Sequence, residues 1–279
     1  MRQLYNKKPK YLEITQGSII TGCVASKYKG CQVWGCIITA RCDLSNKKVN
    51  MVHYLPIVSF DDFLRKEIID ELKEEWVKEL KTNLGNRMKE KGVSPSFLDR
   101  NLSHDDFVTL IRANFKKTKE ADKFLEDYEK YLRAPAAAIK DVVSDSRGEG
   151  RLKHEIDRLV NNDNTNYHLI EDWTCDDSEN QRFKVILLRE IKELSIECAL
   201  SLPDGLLETD ITSDYLYRNS LSESGDKSNF YYVDSEVASP YIEHILQRFS
   251  NNFIRIGVED LPKTKVSKQL VEYSKTILI

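Results

Sequence analysis

Asp172, Glu190 and Lys192 combine residue types and spacing that could do chemistry. Asp172 ends an expected strand, YHLIEDW, and Glu190-Ile191-Lys192 lies on its expected return strand, RFKVILLREIKEL, across the acidic turn TCDDSENQ. Residues two apart on a strand share a face, so 190 and 192 would point together. Asp172 and Glu190 are carboxylates, which suit a hard cation such as Mg²⁺. Glu155, on a helix just upstream, completes this constellation. A second group is Arg147 and His154, whose separation places them near one helix face, although Gly148 and Gly150 weaken a helix there.

A third group is Cys23, Cys31, Cys36 and Cys42, with Asp43 and His53 near them. These are zinc-ligand types, but their spacings are not those of a knuckle. Cys36 and Cys42, six residues apart on an extended strand, would lie about 20 Å from one another. Asp43 beside Cys42 disfavours a thiolate. The expectation is that Cys42 closes the strand GCIITARC as a small buried hydrophobe. His244 is expected to pack beside an apolar helix stripe, and His104 with Asp105 and Asp106 to open a helix.

The elements that must position these residues come in three blocks. Residues 1–60 read as a β unit of short β-branched or aromatic runs, a small barrel or curled sheet, with SNKK as a hairpin turn. Residues 61–160 read as a helical block. Leu64, Ile68, Leu72, Trp76 and Leu80 mark its first amphipathic helix, and further helices are expected over 104–115, 119–132 and 151–160. Residues 161–279 return to β character and complete the β unit. They close with a helix that Ser239-Pro240 would start and that Ile242, Ile245, Leu246, Phe249 and Phe253 would bury. The fold class expected is α+β.

The bulk composition narrows the function classes. A net charge of −3 over 279 residues gives no general basic footprint for nucleic acid, although a local basic groove is compatible with it. No apolar run is long enough for a membrane span. The basic start MRQLYNKKPK runs into YLEITQGS rather than an apolar stretch, so a cytoplasmic protein with reduced cysteines is expected. No G-x-x-x-x-G-K-[ST], G-x-G-x-x-G, G-x-S-x-G or H-E-x-x-H occurs.

Four resemblances follow from short motifs. A carboxylate followed by Glu190-x-Lys192 resembles the PD-(D/E)xK nucleases; the resemblance implies that Asp172 and Glu190 hold Mg²⁺ and that Lys192 positions or activates water. No proline precedes Asp172. Arg147-x6-His154 resembles the motif of HEPN-type ribonucleases and implies action at an RNA 2′-hydroxyl. "TQGSIITGC", "CIITARCDL", "VHYLPIVSF" and "SPYIEHILQRFSNNFIRIGVED" resemble segments of uncharacterised bacterial proteins with a G-D-I … T-Q-x-C-D-L … P-V pattern, covering about a third of the chain. That likeness implies a setting in mobile or defence-type loci. The N-terminal layout is also distantly similar to the SH3-like barrel of MazF/PemK toxins, with Ser18 where those carry Asp. The expectation is a bacterial, cytoplasmic, non-catalytic recognition component of a defence or toxin–antitoxin-type system, bound to protein partners. The alternatives are an Mg²⁺-dependent PD-(D/E)xK-like nuclease and a HEPN-like ribonuclease acting on nucleic acid.

Overall fold

The computed structural model describes residues 5–6, 13–100, 102–137, 139–144, 148–173, 183–223 and 229–254. The protein is α+β: a curled half-barrel of antiparallel strands with a helical block. Its early strands are β1 (Tyr5–Asn6), β2 (Ser18–Ile20), β3 (Val33–Ile37) and β4 (Met51–Ser59). From the later chain come β5 (Tyr167–Glu171), β6 (Phe183–Leu187), β7 (Lys192–Ser195) and, in a separate two-residue ladder, β8 (Leu206–Leu207) with β9 (Phe230–Tyr231). The last strand is β10 (Val233–Val237). The main sheet runs β1-β10-β2-β3-β4-β6-β5, and β7 also pairs with β4. Residues from both ends of the chain therefore build one sheet.

The connection between β3 and β4 departs from the sequence reading. The strand expected to run to Cys42 stops at Ile37, and Arg41–Ser45 forms a short helix, α1. Cys42 is exposed on that helix rather than buried at a strand end. Its thiol donates to Asp43 Oδ1 at 3.6 Å.

A second departure concerns the return strand. RFKVILLREIKEL is not one strand but two, because Pro56 interrupts the ladder it would join. β4 pairs with β7 through Met51–Tyr54 and with β6 through Ile57–Ser59. Strand alternation turns residues 54, 56 and 58 towards β6 and β7, and Pro56 has no N–H to offer there. The chain leaves the sheet after Leu187 and rejoins it at Lys192.

Each sheet face is covered by helices. One face carries Val33, Ile37, Val52, Tyr54, Val58, Val185 and Leu187. The helix that packs there starts at α2 (Phe60–Phe63), widens through a π-helical turn at Leu64–Ile68, and continues as α3 (Ile69–Glu90). Ser59 caps its start by accepting from Asp62 N–H at 3.1 Å. A strict four-residue spacing drifts around an ordinary helix, and the wider π turn keeps Leu64 and Ile68 in line with Leu72 and Trp76. The far end of α3 joins α4 (His104–Asn114) and α5 (Thr118–Arg133) in a second core of Leu84, Met88, Phe107, Ile111 and Phe124. Helices α6 (Ile139–Ser144) and α7 (Gly148–Val160) lead back to the sheet, and α8 (Ile196–Ser201) and α9 (Ser213–Arg218) follow β7.

The other face carries Ile19, Trp34, Cys36, Leu55, Ile57, Ile170 and Ile186. Here α10 (Tyr241–Ile254) lays Ile242 and Ile245 onto the strands. Among the described residues no helix is long and apolar enough to cross a membrane.

Candidate functional site

The α10 face ends in a polar row, and the candidate site is built there. On β6, Lys184 and Ile186 point to the same side, but Lys184 lies past the hydrophobic core, opposite Ser59 on β4 and Ile170 on β5. Its ammonium is only 3% exposed and sits 2.5 Å from Asp172 Oδ1. It also lies 4.3 Å from the ring centroid of Trp34 and 4.5 Å from that of Trp173. The two indoles meet edge to face, 5.7 Å apart. Trp173 Nε1–H donates to Asp234 Oδ2 at 2.6 Å, which ties the end of β5 to β10. A buried ammonium needs this much compensation: a carboxylate in contact and two aromatic faces.

Around this core opens a cleft of about 680 Å³. Asp61, Asp172 and Asp234 line it together with Trp34, Phe183 and Tyr232. Phe183 and Tyr232 are each 38% exposed, so the walls present aromatic surface to solvent. Phe230 stacks against Tyr232 at 5.6 Å and stiffens that wall. Three carboxylates against one ammonium leave the cleft net negative.

The residues singled out in the sequence fall in separate places. Asp172 follows β5 and is paired to Lys184. Glu190, expected on a strand beside Lys192, lies in the excursion between β6 and β7. It accepts from Ser26 N–H and Oγ–H at 2.7 Å each and pairs with Lys192 at 3.1 Å. The ladder separating Asp172 from Glu190 is five residues long, so the two carboxylates lie at opposite ends of about 13 Å of hairpin. Glu155 is on α7, ion-paired to Arg158 at 3.0 Å. It faces Glu71 on α3, whose carboxyl is pushed above its ordinary range by burial and by the Glu155 charge. His154 is exposed on α7, and Arg147 lies outside the described residues. Among the described residues no cluster of three or more His, Cys, Asp or Glu side chains could hold a metal ion.

The cysteines also stay apart. Cys23, Cys36 and Cys198 are buried, Cys31 is half-buried, and Cys175 lies outside the described residues. Burial pushes the Cys36 thiol up to about 12 and holds Cys23 well above its ordinary value.

The sequence reading missed Trp34, Lys184 and Asp234, and it missed His168 on β5. His168 packs edge to face against His244 at 5.4 Å, so His244, expected as a packing residue, lines a cavity instead. The available signal was a lysine or histidine inside an otherwise apolar strand run, FKVIL and YHLIE. Compared with protein-family models, curated proteins and solved structures, the chain matches none.

Proposed function

We propose that this chain is a non-catalytic recognition component of a bacterial cytoplasmic system of the defence or toxin–antitoxin type, and that its aromatic, acidic cleft captures a lysine or arginine side chain of a protein partner. The observation that carries the reading is the cleft itself. Exposed Phe183 and Tyr232 offer faces for a cation, and Asp61 and Asp234 supply the opposite charge, Asp172 being matched by Lys184. A phosphodiester approaching the same rim meets like charge, which disfavours nucleic acid there. The separation of Asp172 from Glu190 supports the non-catalytic part, since each carboxylate is already matched to a lysine. The N-terminal motif likeness supports the bacterial, defence-type setting.

The test is titration of the full chain with blocked peptides carrying one arginine, or glutamate in its place, followed by tryptophan fluorescence. Two of the three tryptophans, Trp34 and Trp173, border Lys184 in this site. The arginine peptide should bind saturably, weaken with added salt, and weaken again in Asp61→Asn with Asp234→Asn. Equal binding of the glutamate peptide would sink the charge argument. Incubation with DNA and RNA, with and without Mg²⁺ or Mn²⁺, checks the rest. Cleavage lost in Glu190→Ala and Lys192→Ala, or metal-independent RNA cleavage lost in His154→Ala, would overturn the non-catalytic reading.

A further inference from the structure

We infer that the lysine-rich turn between α4 and α5 is a second binding surface, and that its partner is the phosphodiester backbone of a nucleic acid, held without regard to base sequence. This surface is separate from the cleft and does not depend on it. Residues 112–123 carry five basic side chains, Arg112, Lys116, Lys117, Lys119 and Lys123, against two acidic ones, Glu120 and Asp122. The local charge is therefore +3 in a chain whose total is −3. Packing turns these charges outward. Phe115 in the turn, with Ala121 and Phe124 on α5, is buried in the core of Leu84, Met88 and Ile111. Lys116, Lys117, Lys119 and Lys123 take the remaining positions and are all exposed. Lys119 and Lys123 are four apart and share one face of α5.

Both carboxylates of the turn are already taken. Glu120 pairs at 2.9 Å with Lys91, which follows α3 and also lies over the Phe115 ring. The Lys91 hydrogen bond, with the charges of Lys117 and Arg87 behind it, holds the Glu120 carboxyl below its ordinary range. Asp122 faces Arg112 at 3.7 Å. Among the described residues the four lysines make no ion pair. The acidic cleft is too distant to neutralise them. Asp61 opens the continuous helix that Lys91 closes, about 45 Å away along its axis. Charges at physiological salt act over roughly 8 Å.

The side chains select the partner. Ammonium groups are hydrated point charges without the planar fork that reads a base edge or a phosphorylated side chain, and they suit a repeating phosphate backbone. No large hydrophobic residue between positions 103 and 131 is exposed, so the surface has nothing to insert into a lipid interface. From Lys116 to Lys123 it extends about 10 Å, and a strand carries a phosphate every 3.4 Å or so of axis, which brings about three phosphates within reach.

The test is fluorescence anisotropy of the full chain with labelled RNA and DNA of about 20 nucleotides, in two unrelated sequences, with EDTA and between about 50 and 200 mM salt. Both sequences should bind alike, and log affinity should fall against log salt with a slope of about −2 to −3. Combining Lys116→Gln, Lys117→Gln, Lys119→Gln and Lys123→Gln should weaken binding about tenfold or more and flatten the slope, with the melting temperature unchanged. Asp122→Asn releases Arg112 and should tighten binding about threefold at low salt, which decides the matter if the fourfold variant does not fold. Absence of salt-dependent binding, binding that survives the four substitutions in folded protein, or polyglutamate of equal length bound as tightly as the nucleic acids would each overturn the inference. Arginine-peptide binding at the cleft should be the same in the fourfold variant as in wild type, so the two surfaces stand or fall separately.

Discussion

Lowering the pH should destabilise the fold through His168. Its folded pKa is about 3 because it is buried and faces Arg248 and His244 from α10, with Glu171 on its own strand lining the same cavity. An unfolded histidine titrates near 6.5. The folded value is the lower one, so the neutral ring's contribution is present above pH 6.5 and is lost as the pH falls towards 3. Between pH 7 and pH 5 the unfolded state takes up nearly one proton that the folded state refuses, a loss of about 2 kcal/mol. The assay is urea unfolding followed by tryptophan fluorescence at pH 7, 6 and 5. Other groups titrate in this window, so the diagnostic quantity is the difference from His168→Asn. That variant cannot titrate, but its side-chain oxygen can still accept from Arg248. The wild type should lose about 2 kcal/mol more than the variant over this range. Parallel losses, within about 0.5 kcal/mol, would show that His168 is either solvated or already charged when folded.

Three further outcomes follow from the packing. Lys184→Met should cost about 3 kcal/mol in urea unfolding, because Asp172 is left buried without its ammonium. Adding Asp172→Asn should recover more than about 1 kcal/mol of that, and simple additivity would mean the pair is not coupled. Gly35→Ala would place a methyl 2.7 Å from both Cys23 Sγ and the Tyr54 ring. It should lower stability by about 1–3 kcal/mol and the melting temperature by several degrees, and an unchanged melting temperature would contradict the packing described there. Cys42→Ser should stay within about 0.5 kcal/mol of wild type, because the thiol is exposed on α1, and in a Cys175→Ser background should remove the fastest phase of thiol labelling in the native protein. A larger stability loss would return Cys42 to the buried position that strand periodicity suggests.

The helices were legible because they carry local signals. The apolar stripe from Leu64 to Leu80, the Ser103–Asp106 start of α4 and the Ile242/Ile245 face of α10 are written within a few residues each. The return of β character after residue 161 was equally visible. That β5, β6, β7 and β10 join β2–β4 in one sheet is long-range pairing, which one chain's periodicity does not encode. The cleft was illegible for the same reason. Trp34, Asp61, Asp172, Lys184 and Asp234 come from four distant stretches of sequence and meet only through strand register.

Pro56 shows how a local residue settles a distant site. The sequence predicts one strand through VNMVHYLPIVSF and another through RFKVILLREIKEL, the latter as the hairpin partner of YHLIEDW. A proline in a strand paired on both sides is tolerated only where no partner needs its N–H. The partner must therefore break opposite it, and it does so at residues 188–191, the segment that holds Glu190. Placing Glu190 and Lys192 on one strand face would require a ladder bond that Pro56 cannot make. Glu190 instead turns outward to Ser26 and Lys192 and fastens the excursion to the β2–β3 connection. The same break ends β6 at Leu187, and its remaining pairing to β4 through Ile57–Ser59 sets Lys184 opposite Ser59. Pro56 thus decides where Glu190 leaves the sheet, while the five-residue β5–β6 ladder keeps that carboxylate from Asp172.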